Sequence, residues 1–553
     1  MRRVLVLAMA VGLVMSVAVS ANATDSHQGG PLTPDDGKEI WRGSVLNGPN
    51  GLYVHPNGNV YAASVFGNEI TVQNPRNGKI LDRIGPERGV NGPDDVFIAD
   101  DGTVYWTDIL GGTVGMLKPD GTFKTQQVVP GVNPITMSDD GRLFVGVIFL
   151  GVGLYELDPD LEDPPVPVFA DPTPIFGING MDFGPDGLLY FPLFFTNQIA
   201  RADVLNRTPG VDPTVEVLAD GFRVPSAVKF NSKGELHVSD LAAGQVLKVE
   251  LPSGDRDVVA EIEGIIDNLA FNARDQLFFA ADSDAQIFKV TPSGRARGIN
   301  RAGFSGPSTI AITDDGTVWV ADAEARGFKG HRRNPTSTIY HRFDQQFEGP
   351  AATNTIAADG DLLITTGLVS GSVQVLNPNT GEIVEDIRSI GGAVNAIAHG
   401  SDLAIAQLGV GVVNSAGEVI ADGFAYALGL ASDGDTLYVT DWALGTVTAV
   451  TDAGSTVVAS GLANPEGIAV DGRHLLVVEE GKDQVSAIHL GSGRVTTLIE
   501  GLDLGPAVAV SDFSPPHGAL SGVAVGSKRI YVSQDGDNNA VFKFKKRGRW
   551  HRR

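Results

Sequence analysis

One phrase of about forty residues returns twelve times between residues 47 and 544, and that period limits what the chain can fold into. The clearest copy reads Gly-Pro-Asp-Asp-Val-Phe-Ile-Ala-Asp-Asp-Gly-Thr-Val-Tyr-Trp-Thr-Asp over 92–108; another reads Gly-Pro-Ser-Thr-Ile-Ala-Ile-Thr-Asp-Asp-Gly-Thr-Val-Trp-Val-Ala-Asp over 306–322. Counted on an anchor just upstream of each apolar run, the copies begin at Asn50, Asp94, Asn133, Asn179, Ser226, Asp267, Ser308, Asn354, Asn395, Leu428, Glu466 and Ser521. Spacings run from 33 (395 to 428) to 55 (466 to 521). A unit of this size cannot bury its apolar face alone, so neighbours must stack.

Within a copy, a short alternating run such as Val96-Phe97-Ile98 meets Asp-Gly or Asn-Gly, and a second run rich in Val, Tyr and Trp follows. Period-two patterning across a glycine turn is a hairpin signal. A third run (113–117, 245–249, 286–290) and a fourth (125–129, 256–260) complete four antiparallel strands, which is one propeller blade. The expected fold class is therefore all-β: tandem β-propellers, two six-bladed rings of four-stranded antiparallel blades, since a single ring of twelve exceeds the usual four to eight. The expected boundaries are 38–303 for the first ring and 304–544 for the second. The segment 38–46 reads as a spare strand and 539–544 as a third strand with no fourth behind it. In this reading 38–46 closes blade six and a strand near 296–303 closes blade twelve, which removes exposed edges.

Met1-Arg2-Arg3, an apolar run over 4–19 and Ala21-Asn22-Ala23 together read as a signal peptide, 1–23, followed by a linker over 24–37. Its apolar run is too short to favour a membrane span. Removing it moves the formal charge from −25 to −27, with 39 basic against 66 acidic residues. An acidic surface disfavours nucleic acid and anionic membranes and suits cations. A basic tail, 545–553, stands apart from that body. There is no cysteine, so thiolate metal sites, cysteine nucleophiles and disulfides are excluded. An exported chain without cysteine points to a secreted or periplasmic bacterial protein.

The first ring's anchors are six small oxygen-bearing residues converging on one axis, a site suited to a hard cation such as Ca2+ or another divalent ion. The candidate metal ligands are Asn50, Asn133, Asn179, Asp267 and Asn268; Asp94 and Asp267 are the candidate catalytic residues, each able to act as general base. The alternative for any one anchor is a turn role, because Asn and Asp bond their own backbone. The second ring's anchors include Leu428 and two serines, leaving Asn354, Asn395 and Glu466 as weaker candidates. An acid ends the second strand at Asp108, Asp240, Asp282, Asp322, Asp441 and Glu479, and its recurrence in both halves predicts blade-to-blade hydrogen bonding. His331 and His341 fall in an Arg-rich insertion over 327–350, and His517 in another over 511–520; both read as loops.

At these repeats the chain resembles the six-bladed propeller superfamily that includes the senescence-marker, gluconolactonase and luciferin-regenerating proteins, with NHL-type repeats close by. Asn179-Gly180-Met181 looks like that family's Asn-Gly-Leu metal-binding word, and Pro93-Asp94-Asp95 stands where the family has Pro-Asn-Asp. Asp267 corresponds to its metal-binding Asp, and the Asp267-Asn268 pair is similar to the paraoxonase-like calcium sites of related propellers. Asn50-Gly51-Leu52 replaces the first-blade Glu-Gly-Pro, while Glu466-Gly467-Ile468 resembles it in the other ring. The resemblance implies a calcium-dependent lactone or ester hydrolase working in the first channel on a small lactone, ester or other extracellular ligand. A non-catalytic NHL-like binding or scaffold protein is the alternative. The phrase at 306–319 is also shared with the streptogramin lyases, whose histidine base has no counterpart among the anchors.

Overall fold

The computed structural model describes residues 30–546 except 66, 149–152, 209, 263, 282–284, 324–326, 332–336, 340–352, 368–370, 389, 506–519 and 537–538. The expected signal peptide, most of the linker before residue 30 and most of the basic tail lie outside the described residues. Asp282, His341 and His517 lie outside them as well.

The described chain forms twelve four-stranded antiparallel sheets, each a blade. Blades one to six span 52–84, 93–127, 132–167, 182–219, 225–261 and 269–298. Blades seven to eleven span 307–339, 355–387, 393–421, 427–460 and 465–500, and blade twelve spans 523–545 with one further strand. Apolar side chains from facing sheets weld the seams. Leu46, Leu52 and Ala62 pack with Phe278, Ala280 and Ile287, which joins blade one to blade six. Phe304, Ile310 and Val320 pack with Ala524 and Val541, which joins blade seven to blade twelve. Two closed six-bladed rings result.

The closing strands differ from the sequence expectation. Ala296–Gly298 pairs with Gln286–Val290 and completes its own blade six. Lys38–Trp41 pairs with Ala540–Lys545 and completes blade twelve, with Lys38 opposite Lys543 and Glu39 opposite Phe542. The reason is loop economy: the chain leaving Val290 reverses over 291–295, where the Thr291 amide bonds the Arg295 carbonyl at 2.9 Å. A short hairpin closes at a smaller entropic cost than a strand borrowed from elsewhere. The open edge of Ala540–Lys545 is then met by the N-terminal segment, whose Leu32 also bonds blade eleven through Leu498 and Glu500 at 2.9 and 2.8 Å. Ring one is thus contiguous in sequence and lies between the closing strand of ring two and the rest of ring two.

The start of the predicted Arg-rich loop is also regular structure. Gly327–His331 and Ser337–Ile339 are the third and fourth strands of blade seven.

Most of the described repeated acids staple a blade to its own lead-in loop, while Asp108 instead accepts the Gly111 amide of the turn that follows it at 2.8 Å. Asp240 accepts the Arg223 and Val224 amides, both at 2.8 Å; Asp322 accepts Ser305 and Gly306 at 3.1 and 2.9 Å; Glu479 accepts Ala463 at 2.9 Å. The bond to the next blade comes from the hydroxyl one residue earlier. Ser239 and Thr440 donate to the Asp267 and Glu466 carbonyls at 3.0 and 2.8 Å, and in blade twelve, where Gln534 stands in the acid's place, Ser533 donates to the Ser308 carbonyl at 2.6 Å. The expected blade-to-blade role therefore belongs to the neighbouring Ser or Thr. A carboxylate only accepts, and the nearest backbone donors are in the lead-in loop or, for Asp108, in the turn after it.

Candidate functional site: the channel of the first ring

The innermost strands carry a recurrent irregularity at the anchor. Register shifts fall between Pro93 and Val96, between Val132 and Ile135, and between Pro225 and Ala227. A bulge there breaks strict alternation and re-aims the anchor and its successor. Asp94, Asn133, Asn179 and Ser226 are buried, while Asn50 and Asp267 keep partial exposure.

One step below the anchors, the structure brings together residues that the sequence reading did not join. Asp95 Oδ1 accepts the Val96 amide at 2.9 Å and the Asn268 Nδ2 amide at 3.2 Å, and Oδ2 accepts the Ile135 amide at 3.1 Å. Asp95 thereby ties blade two to blades three and six. Burial pushes its carboxyl up from the ordinary range, and the Lys229 charge and these donors offset part of that rise.

Two further groups sit at the next level. Asp182 accepts the Phe230 and Phe183 amides at 2.9 and 3.1 Å, and Lys229 Nζ donates to the Met181 carbonyl at 2.8 Å. Burial raises the Asp182 carboxyl, again countered by Lys229. Tyr53 is raised by burial, then by Asp100 and Asp182. One lysine therefore balances two acids from different blades. Charged residues inside a first-strand apolar run, as in Met181-Asp182-Phe183 and Val228-Lys229-Phe230, were the available sequence signal.

Of the residues singled out from sequence, Asp95's neighbour Asp94 offers its carbonyl to the Gly51 amide at 2.8 Å, linking blades one and two. The Asp267 carbonyl accepts Ser226 Oγ at 2.6 Å. Asn179 Oδ1 accepts the Gly180 amide at 2.8 Å, a local turn bond. Asn268 is engaged twice, by Asp95 and by the Leu269 amide at 2.8 Å, so it serves the interior layer rather than the anchor layer.

The residues supply the donor types a hard cation takes, carboxylate and amide oxygen. Among the described residues no three of His, Cys, Asp and Glu gather as a metal cluster, so a cation here would draw much of its shell from Asn50, Asn133 and Asn179 beside Asp267. His237, within the second strand Leu236–Asp240, is buried against Phe271 at 4.8 Å, and burial lowers its pKa.

The anchor face also carries apolar surface. Ile148, Phe194, Val224, Leu241 and Ile265, from loops of four successive blades, form one cluster. Beside it Phe176 and Phe195 stack at 5.2 Å and are 50% and 44% exposed. Gly177 makes that stack feasible: its φ is +82°, and a Cβ there would stand 2.6 Å from Phe195 Cδ2.

Residues 95–324 match the family model described as SMP-30/Gluconolactonase/LRE-like region. The chain resembles that superfamily. The matched span begins in blade two and ends after the second strand of blade seven, so it is offset by one blade from the closed first ring. No curated protein matches the chain. Among solved structures, a streptogramin B lyase shares 17% identity over 52% of this chain and 94% of its own, with a TM-score of 0.37. A protein solved as "putative gluconolactonase" shares 14% over 49% and 96%, also with a TM-score of 0.37. The extracellular domain of BT4673 from B. thetaiotaomicron shares 10% over 92% and 82%, with a TM-score of 0.31. The architecture itself rests on the strand pairings. Among the described residues no helix is long and apolar enough to cross a membrane.

Proposed function

We propose that this chain is an exported tandem propeller whose first ring hydrolyses a small lactone or ester, assisted by a calcium-like divalent cation. The observation that carries this reading is the channel of ring one. There Asp95 and Asn268 meet across the ring, beneath the anchors Asp94 and Asp267 and above Asp182 and Lys229. The family match over 95–324 supports hydrolytic chemistry of this kind.

In this reading Asn50, Asn133, Asn179 and Asp267 would hold the cation. When bound, such an ion polarises a carbonyl and lowers the pKa of water. Asp94 or Asp267 would accept the proton of the attacking water as its oxygen adds to the acyl carbon, and the tetrahedral adduct then expels the alcohol oxygen, which takes that proton back from the carboxyl. Asp95 acts through position, fixing blades two, three and six so that the anchors keep their spacing. The exposed Phe176–Phe195 face receives the apolar part of the substrate. The signal-like segment 1–23 and the acidic surface fit a secreted or periplasmic setting.

The test is turnover of small lactones and aryl esters with and without chelator. Asp94→Asn or Asp267→Asn should cost two to four orders of magnitude in rate, the usual worth of a general base (~10²–10⁴). Metal-loaded protein that hydrolyses none of these substrates would leave the non-catalytic binding reading in its place.

A further inference from the structure

The two rings place different residues around their axes. Two positions after each anchor, ring two carries Ile310, Ile356, Ile397, Leu430, Ile468 and Val523, and each is followed directly by alanine. At the alanine position ring one has Tyr53, Phe97, Thr136, Asp182, Lys229 and Ala270. Bulky and charged side chains occupy this level of the first ring, whereas Ala311, Ala357, Ala469 and Ala524 line a cavity in the second. That cavity is about 240 Å³ and is lined by first strands of all six blades.

The side chains on its walls are aliphatic except at Thr309 and Asn395, and backbone N–H and C=O groups of the first strands lie between them. Of its two polar side chains, Thr309 is engaged: its hydroxyl donates to the Ile356 carbonyl at 3.0 Å and accepts the Ile356 amide at 2.6 Å. The other is Asn395, which is 6% exposed and lines the cavity. Among the described residues no hydrogen bond engages its side-chain amide, which leaves donor and acceptor open to a bound molecule. Next to the lining residues Gly467 and Gly522, Ser521 bonds two acids, its amide to Glu466 at 2.8 Å and its hydroxyl to Asp535 at 2.6 Å. Carboxyl groups at that level oppose an anionic ligand.

We propose that the channel of ring two binds one small, neutral, mainly aliphatic molecule bearing a single carbonyl or hydroxyl group, which Asn395 recognises. An apolar cavity of roughly 150 Å³ already admits benzene, so about nine or ten heavy atoms fit here. The site is independent of the hydrolytic reading, because it lies on the other axis and uses none of its residues.

The experiment is calorimetric titration of the full chain with 2-octanone and, separately, with octanoate. The ketone should bind at one saturable site, and octanoate at least tenfold more weakly. Asn395→Leu should weaken the ketone about tenfold, the worth of one hydrogen bond. Ala357→Phe, which fills the channel, should abolish binding. Absence of saturable ketone binding, octanoate binding as tight as the ketone, or an unchanged affinity in Asn395→Leu would each overturn the proposal. The comparison of ketone with octanoate needs no variant, so it decides the matter even where a substitution impairs folding.

Discussion

Gly43 and Gly303 cross back to back where the chain passes between the rings. A Cβ on Gly303 would stand 2.7 Å from Gly43 Cα, and one on Gly43 would strike the Asn539 backbone. Around the crossing, the Ser44 amide bonds the Phe304 carbonyl at 2.9 Å, Arg301 Nη2 bonds the Gly43 carbonyl at 2.6 Å, and Asn539 Nδ2 reaches the Ser44 and Leu46 carbonyls at 3.4 Å. Gly303→Ala should therefore destabilise the protein by about 1–3 kcal/mol, the range for overpacking against backbone that cannot yield. Urea unfolding of the variant beside the parent measures it; an unchanged midpoint would mean that the two segments can part at little cost.

The closing strand gives a second expectation. Removing residues 38–41 opens blade twelve and takes away the Trp41 ring, which packs edge-on against Phe304 at 5.5 Å. Ring two should melt earlier while ring one, whose six blades are contiguous, keeps its transition. Trp41→Ala alone should cost at least about 1 kcal/mol through the lost aromatic pair. Scanning calorimetry separates the two transitions, and a fall confined to the first ring would contradict the pairing.

Asp108 gives a pH dependence with a definite sign. Burial pushes its carboxyl from 3.8 to about 6, opposed by the Gly111 amide at 2.8 Å. Between these values the folded chain holds a proton that the unfolded chain releases, so this contribution is full below pH 3.8 and is lost as pH rises through about 6. Asp108→Asn should gain stability over the parent on going from pH 4 to 7.5, by the order of 2–3 kcal/mol for a shift of this size. Denaturation at the two pH values reads the difference directly.

Metal removal tests the anchor layer. A ligand at a hundredfold excess over its Kd adds about 2.7 kcal/mol, so chelation should lower Tm. Asp267→Ala and Asn179→Ala should abolish that response, whereas Glu466→Ala should keep it. Asn268→Ala should also keep it, because that amide is turned to Asp95 and Leu269. Equal chelator sensitivity in Asp267→Ala, Asn179→Ala and Glu466→Ala would move the ion elsewhere.

Repeat period, hairpin turns and the alternation of Val96-Phe97-Ile98 were legible in the sequence because they are local: the pattern of one copy already states four strands, and twelve copies state twelve blades. The anchors were legible for the same reason, each being a fixed offset from its turn. Which strand closes which ring was not legible, since 38–41 and 296–298 both look like spare strands and only the geometry of the open edge at 540–545 chooses between them.

The same division holds for the site. The sequence by itself determined that small polar residues open the innermost strands, and that one ring is richer in them than the other. Only the tertiary structure decided that Asp95, and not Asp94, reaches Asn268 from 173 residues away, that Lys229 lies between two acids of other blades, and that alanines of four blades line one cavity in the second ring. Those facts depend on closing the rings, because closure sets side chains far apart in the chain at one level of one axis, where burial and charge act on them together.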